Sequence, residues 1–408
     1  MPRTIPRIAI VTHPLDVGGG AATMAEFAYR VVNESGRYEA EVISLAQSSS
    51  DEASVLVRRP STWRRGILVE RRSWRGVPFI HVGAKWPEYE PSRYRARAAL
   101  TALLSQYDLV QVVAGTPPWA CPALDAKVPC LLWTASTLWA DRASRIELEP
   151  PVKRHTLKWI ARRAQVQERR ALQQVQVVFA LSPYTVEVIR KIAPEANMQL
   201  AMCGVDTRHY QPGPIRKRNY ILSVARFSDY RKNVPMMLEA YRRLVDRVPS
   251  APDLYLVGET PTQLGLRKLS ELKLGDRVHV LPPALPHQLA TLYREAQFFV
   301  LSSDEEGLGI VLLEAMSSGL PCVSTRCGGP EAVISHETGF LTPVRDAEPF
   351  ARAMERLVSD SDLREQMGRA ARQRVERHFS IQTASRPFLE EYDRILNREP
   401  VATAAYVR

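Results

Sequence analysis

Two carboxylates stand eight positions apart in the run Glu306-Gly307-Leu308-Gly309-Ile310-Val311-Leu312-Leu313-Glu314. The apolar strand Phe298–Leu301 leads into a short acidic loop, Ser302–Glu306, and a helix is expected to begin near Ile310 after two glycines. Glu306 then lies in the loop over the helix N-terminus and Glu314 about one turn inside it. A helix N-terminus offers free N–H groups and a partial positive charge, a natural seat for a phosphate. Two acceptors around such a seat suit a ligand with hydroxyls at both ends and phosphates between, which describes a nucleotide sugar.

A second cluster has the complementary charge. The strand Tyr220–Ala225 runs into Arg226-Phe227-Ser228-Asp229-Tyr230-Arg231-Lys232-Asn233. Arg226 and Lys232 thus fall at the C-terminal edge of a strand, the edge where open α/β sheets bind ligands. Arginine offers a fork and lysine a point charge, and together they can hold a diphosphate. The alternative is a solvated turn with spare charge. The expected placement of Glu306 and Glu314 on the same edge favours the diphosphate.

The elements that must position these groups alternate strand and helix along most of the chain. Arg7–Thr12 reads as a buried first strand, followed by the Gly18-Gly19-Gly20 loop and a helix over about Ala21–Asn33. Glu41–Leu45, Leu109–Val113, Cys130–Trp133 and Val177–Leu181 continue the series, with Gly66–Glu70 and Val77–Val82 as a hairpin around an Arg-rich turn. Near Tyr210–Asn219 a Pro/Gly-rich stretch interrupts the pattern and reads as a linker. A fresh series follows, with strands at Tyr220–Ala225, Leu254–Val257, Val278–Leu281, Phe298–Leu301 and Cys322–Thr325. Continuous apolar strands indicate parallel sheets covered on both faces, here an α/β chain of two doubly wound domains facing a cleft. The expected division is 1–210, 211–385 and a C-terminal helix with tail over 386–408.

The 408 residues are 45% hydrophobic and 24% charged, ordinary for a globular chain of two or three domains. No apolar run reaches the roughly 20 residues of a membrane span, and no signal-like core lies between Met1 and Arg30, so a cytoplasmic location is expected. The five scattered cysteines read as reduced thiols. Net charge is +11, and Met1–Tyr210 supplies most of it, with 28 Lys+Arg against 19 Asp+Glu. Such asymmetry points to an acidic partner of the first half. Nucleic acid is disfavoured, because charge alone would leave the nearly neutral second half unexplained.

With these pieces in order, the chain resembles a retaining glycosyltransferase of the GT-B fold, most like glycosyltransferase family 4. Gly18-Gly19-Gly20 resembles its N-terminal glycine loop, and Cys203-Gly204-Val205-Asp206 with Tyr210 and Pro212 the segment closing the first domain. Ala225-Arg226 through Lys232-Asn233 resembles the phosphate-binding turn, and Glu306-x7-Glu314 the paired-glutamate motif. Gly319-Leu320-Pro321 and Gly328-Gly329-Pro330-Glu331 resemble the segments after it.

The resemblance implies roles. Glu306 binds donor-sugar hydroxyls and Glu314 the ribose. Gly307, Leu308 and Gly309 turn backbone N–H groups to the sugar and phosphate, while Arg226 and Lys232 neutralise the diphosphate. Gly19 and Gly20 let backbone approach that phosphate from across the cleft. The C-terminal helix is expected to return to the first domain. Two departures stand out. Relatives place the phosphate lysine where this chain has Arg231, so Lys232 is preferred with Arg231 as the alternative. Ser136 takes the place of a histidine near the reacting sugar, and His13, after the first strand, is a second acceptor-side candidate or a local loop residue.

No Asp-x-Asp motif lies near a strand end, so the expectation is a metal-independent, front-face reaction with no cofactor beyond the nucleotide-sugar donor. Arg226, Lys232 and Glu306 are the expected catalytic residues, with the cations stabilising the departing diphosphate. The partners are then that donor and a glycan, lipid-linked or small-molecule acceptor, as in polysaccharide biosynthesis. Competing readings are a GT-B nucleotide-sugar epimerase or hydrolase and a non-catalytic relative. A dinucleotide-dependent oxidoreductase fits poorly, because Thr23 holds the third glycine place and no acid ends the Glu41–Leu45 strand.

The basic excess concentrates in two places. Arg58, Arg59, Arg64, Arg65, Arg71, Arg72 and Arg75 surround Trp63 and Trp74, and Lys153, Arg154, Lys158, Arg162, Arg163, Arg169 and Arg170 recur along one expected helix. These read either as solvated surface or as a contact for anionic lipid or a polyprenyl-diphosphate acceptor at the inner face of a membrane.

Overall fold

A computed structural model describes residues 5–15, 19–213 and 218–397. Gly18 and 214–217 of the expected linker lie outside the described residues. Two sheets form. The first has strands β1 (Arg7–Thr12), β2 (Glu39–Leu45), β3 (Val69–Trp74), β4 (Val77–Val82), β5 (Leu109–Ala114), β6 (Cys130–Thr134), β7 (Val177–Ala180) and β8 (Met198–Leu200). Their order is β3-β4-β2-β1-β5-β6-β7-β8, parallel except for the β3–β4 hairpin. The second has β9 (Tyr220–Arg226), β10 (Asp253–Glu259), β11 (Val278–Leu281), β12 (Phe299–Leu301), β13 (Cys322–Thr325) and β14 (Gly339–Thr342), all parallel in the order β11-β10-β9-β12-β13-β14. Edge strands β8 and β14 were absent from the sequence reading. They are short and only partly apolar, so they carry little strand signal.

Each sheet is buried because its strands are apolar on both faces. Ile8, Ala9, Ile10 and Val11 of β1 and Leu109, Val110, Val112 and Val113 of β5 are wholly buried, as are Phe299 and Val300 of β12. The last helix, Ile381–Ile395, crosses back to the first sheet. It begins ahead of the expected boundary at 386, where the Ser380 hydroxyl accepts the Thr383 N–H and caps it. Phe388 on this helix packs its ring 4.7 Å from both Trp133 and Phe179. Asp393 accepts from Tyr38 and Arg37 of the first domain. The five cysteines are buried free thiols.

One arrangement in the first domain resembles a catalytic triad. Ser44 Oγ lies 2.6 Å from His81 Nδ1, and His81 Nε2 lies 2.6 Å from Asp51 Oδ2. Ser44 and His81 are 0% exposed, so no substrate reaches the hydroxyl. The line instead ties β2, β4 and the loop after β2 together.

Candidate active site

The loop after β12 is held by bonds to both neighbouring strand ends. Glu306 N donates to Cys327 O at 3.0 Å, and Gly329 N donates to Glu306 O at 2.8 Å. The Glu306 side chain, 14% exposed, is bonded by Lys232 Nζ and by Ser303 Oγ at 2.6 Å. Gly309, at φ +82°, supplies the left-handed residue that starts helix Ile310–Ser317. Among the described residues no side chain caps that helix, and only Leu312 N–H of its first turn is answered, by Gly309 O at 2.8 Å, so the N–H groups before it remain available to a ligand.

Glu314 lies one turn into this helix. Tyr293 donates its hydroxyl to Glu314 Oε2 at 2.8 Å, and Tyr210 bonds the same carboxylate. Burial pushes the Glu314 carboxyl up to about 7, and the two tyrosine bonds offset only part of that shift.

The cationic turn follows β9. Asp229 caps the single turn Tyr230–Lys232 by accepting the Arg231 N–H at 3.0 Å. Asn233, left-handed at φ 43°, then caps helix Val234–Arg247 and donates its amide to Asp304 at 2.8 Å. These two caps orient consecutive cations differently. Lys232 points to Glu306. Arg231 is 19% exposed and bonds Asp229 at 2.7 Å, Glu305 at 2.9 Å and, in the other domain, Asp141 at 2.7 Å. Burial alone would raise the Asp229 carboxyl, but Arg231 and Lys232 outweigh it and bring it down to about 2. Arg226 is freer. Its side chain is 42% exposed and meets Asp229 only at 3.8 Å.

The first domain supplies the opposite wall. Arg226 lies against Gly19, the residue before helix Gly20–Glu34, while the position of a Gly20 side chain is open space. Gly307 packs on Ala135, where an added Cβ would stand 2.8 Å from the Ala135 oxygen, and Gly328 packs on the Tyr184 ring. Both glycines are small because the other domain's surface comes this close.

The two acceptor-side candidates fare differently. Ser136 is buried and donates its hydroxyl to Glu305 Oε1 at 2.7 Å, so it is engaged in a tie between domains. The His13 ring lies 4.5 Å from that of Trp119 at a tilt of 43°, and its buried Nε2 has no partner among the described residues. Burial and then the Arg226 charge lower it to about 4, so the ring is neutral at physiological pH.

The structure therefore joins Gly19 with Arg226, and Lys232 with Glu306. Sequence reasoning missed Glu305, Asp141, Asp229 and Tyr293. Glu305 and Asp229 lay inside runs already singled out, whereas Asp141 and Tyr293 carry no local signal.

Two doubly wound sheets facing one another, closed by a C-terminal helix returning to the first, define the GT-B fold. The sucrose-phosphate synthase tll1590 of Thermosynechococcus elongatus superposes with a TM-score of 0.71 at 18% identity, over 96% of this chain and 99% of that one. Anabaena Alr3699/HepE in complex with UDP-glucose superposes with a TM-score of 0.67 at 16% identity, over 95% of this chain and 100% of that one. The family model of glycosyl transferases group 1 matches residues 206–374, the segment with both glutamates and both cations. The N-acetyl-alpha-D-glucosaminyl L-malate synthase of Bacillus anthracis is 31% identical over 223 residues, 52% of this chain and 58% of that protein. The chain thus matches little more than half the length of that curated relative.

Proposed function

We propose that the protein is a retaining glycosyltransferase that moves a hexose-type sugar from a nucleotide-diphosphate sugar to a glycan, lipid-linked or small-molecule acceptor. A UDP-sugar is favoured over GDP-mannose as donor, supported by the UDP-glucose complex of the Anabaena structure. The observation that carries the reading is the cleft's charge order: Arg226 against Gly19 on one side, and Lys232 on Glu306 beside an uncapped helix N-terminus on the other. This order fits a diphosphate between a sugar and a ribose. Glu306 would take the donor-sugar hydroxyls and Glu314 those of the ribose. Gly20, Gly307, Leu308 and Gly309 would bring backbone close to the phosphate and sugar. Lys232, not Arg231, would be the phosphate contact, since Arg231 is held by three carboxylates.

In the step itself, the bond from the anomeric carbon to the phosphate oxygen breaks as the acceptor oxygen bonds the same face. The leaving phosphate oxygen takes the acceptor's proton, and Arg226 and Lys232 stabilise its growing charge. The neutral His13 would face the acceptor. Among the described residues no helix is long and apolar enough to cross a membrane; the basic N-terminal domain would meet an anionic membrane at its periphery. Incubation with a panel of UDP- and GDP-sugars, with release of nucleoside diphosphate as readout, tests the reading. NMR of the product should show the donor's anomeric configuration retained, and inversion would overturn the front-face step.

A further inference from the structure

Helix Pro151–Gln174 has two faces of different character. Ala161, Ala164, Glu168, Ala171 and Leu172 are buried against the first domain. On the opposite side Val152, Trp159 and Val166 are 83%, 47% and 70% exposed. At ~100° per residue these three fall within about 40° of one another and make one stripe along the helix. Lys158, Arg162 and Arg163 flank it. None of the three is in an ion pair among the described residues, and the Arg163 guanidinium lies over the Trp159 ring at 4.9 Å. The helix's one acidic residue, Glu168, is buried and accepts the Leu138 N–H at 2.7 Å.

Exposed helices of the second domain are built otherwise. Several of their cations are answered within the turn, as in Arg352–Glu348 and Arg372–Glu376. A solvated face has no need of three large apolar groups, and a nucleic-acid-binding face gains nothing from exposed valines. An apolar stripe ending in tryptophan and edged by unpaired cations matches the boundary of a bilayer whose headgroups are acidic. The aliphatic stems of lysine and arginine can lie along the apolar layer while their charges reach phosphate.

We propose that this face docks the protein on an anionic lipid bilayer. The geometry also links it to the cleft. Helix Leu138–Leu148 packs on the docking helix, starts just after Ser136 and carries Asp141, the partner of Arg231. Trp139 on it is 43% exposed. The docked surface thus adjoins the element that begins at the acceptor side. The proposal rests on this helix alone and does not require the glycosyl-transfer reading.

The test is co-sedimentation of the full chain with vesicles of neutral phosphatidylcholine, with and without about a third phosphatidylglycerol. Wild type should bind the anionic vesicles at least tenfold better and lose binding in high salt. Lys158→Gln with Arg162→Gln and Arg163→Gln should lower binding about tenfold. Val152→Ser with Trp159→Ser and Val166→Ser, which keeps every charge, should lower it several-fold. Melting temperature and UDP-induced thermal shift should stay unchanged in both variants, separating loss of docking from misfolding and from failure of the donor site. Equal binding to neutral and anionic vesicles would overturn the proposal. So would wild-type binding by the apolar-stripe variant, or a dimer in sedimentation velocity that loses its contact on that substitution.

Discussion

The guanidinium of Arg226 fills the space in front of Gly19: a Cβ there would stand 3.2 Å from Nε and 3.3 Å from Cζ. Gly19 also sits at φ +87°, where a side chain is strained. Gly19→Ala is therefore expected to cost ~1–3 kcal/mol of backbone strain and to displace the arginine. Turnover should fall at least tenfold with a melting temperature lowered by only a few degrees. Steady-state kinetics beside a thermal melt checks this, and full activity would show that the contact is incidental.

Arg231 and Lys232 are neighbours with opposite expected phenotypes. Removing Arg231 leaves Asp141, Asp229 and Glu305 without their shared counter-charge, a loss on the order of 3–5 kcal/mol for a buried pair. Arg231→Ala should lower the melting temperature by roughly 10 °C. Lys232→Ala strands one carboxylate, Glu306, which Ser303 still bonds, rather than three; it should lower the melting temperature less, yet weaken nucleoside-diphosphate binding by an order of magnitude or more. Calorimetric melts and titrations on both variants distinguish the two roles.

In its proposed role at the ribose, Glu314 would set a pH dependence on donor binding. In the proposed site ribose hydroxyls would donate to this carboxylate, so binding would prefer the ionised form, and burial holds that carboxyl near 7. Affinity for UDP should rise as pH climbs from 6 to 8, by up to about tenfold per unit below the midpoint, and then level off. Glu314→Gln should bind more weakly and lose the dependence. A flat profile for wild type would remove Glu314 from the ribose site.

Glu168 affects folding in the opposite pH sense. Burial lifts it from 4.5 to about 7, with the Leu138 N–H bond opposing in part. The folded state therefore holds its proton more tightly than the unfolded state. The resulting stability is fully present below about pH 4.5 and is lost as pH rises to about 7. Glu168→Gln keeps an acceptor for Leu138 and needs no ionisation. It should be more stable than wild type at pH 8, by at most ~3 kcal/mol, and about equal to it at pH 4.5. Urea melts of the two proteins at both pH values provide the comparison.

The chemistry visible in sequence was the local part. Glu306 and Glu314 share one run, and Arg226 and Lys232 another, because each pair follows a single strand end in order. Long apolar strands announced both sheets, whereas β8 and β14 are short edge strands that packing rather than pattern holds in place. What escaped was pairing across the cleft. Asp141 meets Arg231 from ninety positions away, and Ser136 meets Glu305 from 169. Neither residue type nor spacing betrays such a contact. The Ser136 hydroxyl, read as an acceptor-side candidate, is occupied by this tie for the same reason. Nor does the sequence separate Arg231 from Lys232, since the difference arises from the caps by Asp229 and Asn233.

In the proposed function Arg226 and Lys232 hold a nucleoside diphosphate in the cleft. Isothermal titration of wild type, Arg226→Ala and Lys232→Ala with UDP and with GDP tests it most directly. One diphosphate, UDP by this account, should bind wild type in the micromolar range and each variant at least tenfold more weakly. Absence of binding by both nucleotides, or equal affinity in all three proteins, would contradict it.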